Sequence, residues 1–200
     1  MVRFFLFLMT AFLLSAPSVW AAPKTVLKIA LGDPEGSEMG IVGETFKKYV
    51  AEKSNGEIEV QTFYSGSLGD ETETIHNVRR GTLALSCVGI ANTVPFVKQL
   101  GILNLPYLFE NLDEVVKATN GKSAEILNTY AEKAGFRVLA WTYTGFRYIS
   151  NSKRPITKMA DIKGLKIRVP QSTVLLATYK AWDASPVFIP WSETFVALQD

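Results

Sequence analysis

Chemistry-bearing side chains are scarce in this chain of 200 residues, which has one cysteine, Cys87, and one histidine, His76. A lone cysteine rules out an internal disulfide, so the core itself must hold the fold. Cys87 sits in the apolar stretch LALSCVG and reads as a buried small hydrophobe that an oxidising compartment would leave undisturbed. One histidine and one cysteine cannot build a Cys/His metal cluster. There is no Gly-x-Ser-x-Gly elbow and no Gly-x-x-x-x-Gly-Lys phosphate loop. His76, in TIHNVRRG, lies among polar neighbours on a helix surface and reads as structural or solvated. Glu71 and Glu73 could serve as glycosidase carboxylates in principle. On the first turn of a helix they read better as complements to its dipole. The chain therefore offers no catalytic residue, and no enzyme, cofactor or metal is expected.

Excess charge is lacking too. Lys and Arg number 21 against 19 Asp and Glu, for +2. Near-balance with mixed signs gives no reason to expect nucleic acid or an acidic membrane surface as partner. The first residues, MVRFFLFLMTAFLLSAPSVWA, combine a positive start at Arg3, an apolar run from Phe4 to Leu14 broken by Thr10, and small residues around Ala21. This is the pattern of a cleavable signal peptide over residues 1–21, too short for a lasting membrane span. Loss of Arg3 takes 21 basic residues to 20 against 19 acidic ones, leaving +1. No later segment is long and apolar enough to cross a bilayer, so the expected product is exported, soluble and periplasmic.

What is present is alternation. Thr25–Leu31 reads as a strand, followed by the turn GDPEGS and a helix whose apolar stripe is Met39, Val42, Phe46, Tyr49 and Val50. A second strand, IEVQTFY, precedes the helix ETETIHNVRRG and a third strand, LALSCVG. This β-α-β-α-β order predicts a parallel, doubly wound sheet. Helical periodicity runs from Asn111 to Ala134, with a break at Asn120-Gly121. Phe136–Gly145 reads as a long strand crossing towards a second lobe, and FRYISNSK as another. MADIKG is a helical turn, GLKIRV a strand, Thr173–Trp182 a helix and SPVFIP a strand. WSETFVALQD opens a further helix with Ser192 as N-cap. The domains expected are residues 22–145 as lobe 1 with its crossover and 146–200 as the start of lobe 2. Since the last helix has no cap at its end, the second lobe is expected to be incomplete.

In open α/β sheets, ligands sit beyond the carboxyl ends of strands. The loops Gly32–Ser37, Tyr64–Asp70 and Gly89–Thr93 lie there, as does Arg168 at the last step of its strand. Arg147, after the bend at Gly145, can face the same gap. Guanidinium forks match carboxylates bidentately and stay charged at physiological pH, so the two arginines suit an organic acid as a pair; taken alone, each reads sooner as a surface or ion-paired residue than as a ligand contact. Trp191 could pack on a ligand's apolar body or on its own lobe.

Three segments carry a resemblance: SNGEIEVQTFYSGSLGDETETIHNVRRGTLAL, GFRYISNSKRPITKMADIKGLKIRVPQS and ASPVFIPWSETFVALQ. They resemble the solute-binding subunits of tripartite ATP-independent periplasmic (TRAP) transporters, the DctP-like family. The run P-x-x-x-x-x-D-x-K-G-x-K-x-R-V-P, Pro155 to Pro170, is the most specific. The resemblance implies a periplasmic binding protein-like α/β fold, with two doubly wound lobes around a ligand cleft. It also implies a monomeric receptor that hands a small carboxylate ligand to membrane permease subunits. The family's carboxylate-pairing arginine matches Arg168, a second arginine Arg147, and an aromatic position Trp191, with Glu193 at the mouth of the same helix. Two positions depart from the pattern: Asp183 replaces a turn glycine, and Ala84 an acidic residue. The family also continues beyond ALQ. The rival reading, an ABC-type binding protein for an amino acid or another anion, calls for an acid to hold the ligand's ammonium group. No such acid is evident opposite Arg168 from sequence.

Overall fold

A computed structural model describes residues 25–199; the signal peptide expected over 1–21 and Asp200 lie outside the described residues. β1 (Thr25–Leu31), β2 (Ile58–Phe63) and β3 (Leu85–Cys87) form one parallel sheet in the order β2-β1-β3. α1 (Glu38–Lys53) joins β1 to β2, and α2 (Glu71–Arg79) carries the chain past β1 to β3. The strand order thus reverses between β1 and β3, which is where such sheets open a crevice for a ligand.

Ile29 and Leu31 of β1 and Val60 of β2 are buried, and Met39, Phe46 and Val50 of α1 pack on them. Tyr49, expected on the same stripe, instead turns outward at 58% exposure, with the Lys53 ammonium 5.5 Å from its ring centre. Gly43 lets α1 lie close to the sheet: a Cβ there would stand 2.8 Å from Leu31 Cδ2. Half-buried Cys87 packs against the same cluster, and burial pushes its thiol pKa up, so it is the inert hydrophobe expected.

A second cluster of Val97, Leu100 and Leu127 gathers the helical middle of the chain: Ile90 of α3 (Ile90–Thr93) packs on it and α5 (Lys122–Lys133) supplies Leu127, while α4 (Leu112–Asn120) lies against α5. The His76 ring meets Phe96 edge-on at 4.7 Å, a packing role consistent with the structural reading of that histidine. The strands expected over Phe136–Gly145 and FRYISNSK are not formed. Among the described residues no strand lies beside either segment. An extended run without a ladder partner has no hydrogen bonds to hold it in a sheet. Phe136 and Trp141 pack on the second cluster, whereas Tyr148 is 90% exposed.

β4 (Lys166–Val169) and β5 (Ser185–Phe188) pair in parallel through α6 (Thr173–Ala181), and α7 (Trp191–Ala197) follows. The motif from Pro155 to Pro170 now has a mechanical meaning. Asp161 Oδ2 accepts hydrogen bonds from Thr157 N at 2.9 Å, Thr157 Oγ1 at 3.0 Å and Lys158 N at 3.0 Å, which closes the turn launching β4. α6 ends with Asp183 at φ +58°, its N–H donating to Lys180 O while Ala184 N donates to Tyr179 O. That left-handed position explains why a glycine would suit the site and why Asp is tolerated. Ser192 is not the cap of α7. The helix begins at Trp191 with Pro190 as N-cap, and the Pro190 carbonyl accepts from Thr194 Oγ1 at 2.9 Å.

Leu31 is 1% exposed and central to the first cluster. Leu31→Ala is expected to cost about 2–5 kcal/mol, measured as a lower urea midpoint with an unchanged slope.

Candidate ligand cleft

β4 positions Arg168 through period-2 alternation: Leu165 and Val169 are buried on one face while the arginine projects from the other. Its Nε–H donates to the Ile189 carbonyl at 2.8 Å, just past the end of β5. The Trp191 ring lies over its guanidinium at 5.6 Å. A guanidinium has five N–H donors, so this bond leaves the four on the terminal nitrogens for other partners. No carboxylate stands within salt-bridge distance of Arg168 or Arg147 among the described residues. Burial pulls the Arg168 pKa below the usual guanidinium value; nearby Glu71 acts the other way, and Arg147 adds to the depression. The side chain nevertheless remains charged at physiological pH.

Arg168, Arg147 and Trp191 line one cleft of roughly 240 Å³, about eight water molecules' share of liquid volume. The cleft therefore brings together three of the four residues singled out from sequence. It does not include Glu193, which lies exposed in the first turn of α7, where a carboxylate complements the helix dipole. Two of the three strand-end loops contribute: Asp33 follows β1, and Gly89, Ala91 and Asn92 follow β3. No residue of Tyr64–Asp70 lines it.

Sequence reasoning missed the acids. Asp33, Glu38 and Glu71 all come from the β1–α2 part of the chain and line the cleft that holds the two arginines. The expectation that no acid stands opposite Arg168 is thus corrected. The signal was available for Asp33, which lies in a loop already placed at a strand end, but spacing alone does not show which loop residue points inward. Asp33 has its pKa raised by burial first and by the Glu38 charge second, with a hydrogen bond from Trp191 opposing both. The two parts of the chain meet where Gln171 N donates to Asn92 Oδ1 at 3.2 Å and Thr72 Oγ1 donates to Gln171 Oε1 at 3.1 Å. Among the described residues no cluster of His, Cys, Asp or Glu could hold a metal ion.

A raised carboxylate pKa is a stability cost paid only while the group is ionised in the fold. Asp33→Asn is therefore expected to raise the melting temperature of the ligand-free protein at neutral pH. The gain should be full above the folded pKa of Asp33 and fade as pH falls towards its ordinary value of 3.8, which a pH series of thermal melts would read.

Comparison with known proteins gives the family and the fold. A family model for DctP, bacterial extracellular solute-binding protein family 7, matches residues 31–200. A solute-binding protein of Verminephrobacter eiseniae is 36% identical over 179 residues, covering 90% of this chain and 53% of the relative. Among solved structures, a TRAP periplasmic solute-binding protein from Polaromonas sp. JS666 bound to D-erythronate superposes with a TM-score of 0.85 at 34% identity, covering 88% of this chain and 58% of that one. Another from Sulfurospirillum deleyianum with bound succinate gives 0.84 at 29% identity, covering 88% and 57%. The chain spans just over half the length of these relatives. The match favours the TRAP reading over the ABC-type alternative, and the family is one of solute-binding receptors, not enzymes. The chain belongs to the DctP family of bacterial extracellular solute-binding proteins.

Proposed function

We propose that this protein is the extracytoplasmic receptor of a TRAP-type transporter, capturing a small organic acid by its carboxylate and delivering it, as a monomer in the periplasm, to membrane permease subunits. The observation that carries the reading is the state of Arg168. It is a half-buried guanidinium, oriented by the Ile189 carbonyl and the Trp191 ring, with its terminal nitrogens free of any carboxylate and Arg147 beside it. Partial desolvation strengthens a charge-assisted bond to an incoming anion. Arg147 supplies a second cationic partner, and Trp191 an apolar face for the ligand's carbon body. Neither arginine's role depends on a nucleophile or a metal. The bound D-erythronate and succinate of the two structural relatives are both small carboxylates.

The test is thermal unfolding of the full-length protein against a panel that includes D-erythronate and succinate, with Arg168→Lys alongside. A ligand at about a hundred times its dissociation constant stabilises by roughly 2.7 kcal/mol, or on the order of 5–10 °C for a chain of this size. At least one acid should produce that shift, and Arg168→Lys should abolish it because an ammonium cannot form the planar fork. A shift that survives the substitution would make Arg168 structural and overturn the reading.

A further inference from the structure

The cleft is asymmetric in charge, and the binding role proposed for Arg168 uses only one of its walls. Both arginines come from the part of the chain after Gly145, and all three acids from the part before α3. Arg168 feels Glu71, so that acid is partly balanced. Asp33 has no such counterweight. No cation stands within salt-bridge distance of it among the described residues, and the group acting on it beside the Trp191 donor is another carboxylate, Glu38. It is half-buried at the end of β1 and lines the same cleft.

An ionised carboxylate only accepts hydrogen bonds, at about four lone-pair sites. Asp33 lines the cleft, so the acceptor capacity of its carboxylate is available there. A hydroxyl can fill it by donating. A second ligand carboxylate cannot: it too is acceptor-only, and placing like charges together in a partly desolvated cleft is unfavourable. Resting on the receptor reading above, we propose that Asp33 is the specificity-determining residue of the cleft. It accepts a hydrogen bond from a hydroxyl of a short acid whose carboxylate is held by Arg168, and it turns away acids carrying a second carboxylate. The ligand class is then a hydroxylated monocarboxylate, not a dicarboxylate. Glu38 reinforces the exclusion by adding charge of the same sign, and Trp191, over the Arg168 guanidinium, lines the same cleft as Asp33.

The probes are four-carbon acids: D-erythronate and tartrate, which share the 2,3-hydroxyls and present a hydroxyl or a second carboxylate at the far carbon, and 4-aminobutyrate, which has no hydroxyls and ends in an ammonium group. Their dissociation constants are measured calorimetrically on the full-length protein, on Asp33→Asn and on Asp33→Ala, with a melting curve of each variant to establish folding. Wild type should bind erythronate at least tenfold more tightly than tartrate. Asp33→Asn keeps an acceptor and removes the charge, so tartrate should gain about tenfold while erythronate changes by no more than a few-fold. Asp33→Ala should gain tartrate and lose erythronate together. Wild-type tartrate binding equal to or tighter than erythronate overturns the proposal, as does tartrate affinity unmoved by both substitutions. Tighter binding of 4-aminobutyrate than of erythronate overturns it differently, by showing that the acidic wall takes an ammonium group. If no acid binds at all, the receptor reading itself fails, and that result is distinct from each of these.

Discussion

One hydrogen bond, from Arg168 Nε to the Ile189 carbonyl at 2.8 Å, determines how the cleft can work. It ties a charged side chain at the end of β4 to the backbone just beyond the end of β5, so the guanidinium is aimed before any ligand arrives. The strand pairing makes that bond available. Arg168 stands opposite Val187 in the register, and Ile189 N donates back to Val169 O at 3.3 Å. Trp191, two residues on, then falls naturally over the guanidinium face. A receptor site of this kind gains affinity by preorganisation, because the ligand need not order the side chain that holds it.

The second constraint is the balance between walls. A guanidinium taken half out of water is costly unless its charge is answered, and in the ligand-free cleft Glu71 answers it only at a distance. An incoming carboxylate completes what the fold leaves unfinished. The same logic runs in reverse at Asp33, where burial and Glu38 both work against ionisation. Contacts through Asn92, Gln171 and Thr72 hold the walls facing each other without filling the space between them.

Much of this was legible in sequence, for identifiable reasons. The βαβ alternation and the strand-end placement of Arg168 are local, set by periodicity and turn chemistry. Arg168 stood out because a charged fork closing an apolar strand is locally anomalous. Tyr49 was misjudged because five apolar positions on one helix face exceed what the sheet can cover. The strands expected at Phe136–Gly145 and FRYISNSK had the right period, but a strand also needs an edge to pair with, and alternation carries no information about that. Asp33, Glu38 and Glu71 reach the arginines only through the fold, so no spacing rule brings them together. Glu193 shows the converse, since lying near Trp191 in sequence did not bring it into the cleft.

The most direct test of the central claim is a crystal structure of the full-length protein with a bound acid. The account predicts a ligand carboxylate with its oxygens roughly 2.7–2.9 Å from the terminal nitrogens of Arg168, while the Nε bond to Ile189 stays in place. A carboxylate seated elsewhere, with Arg168 paired to Glu71 or turned away from the cleft, would contradict it.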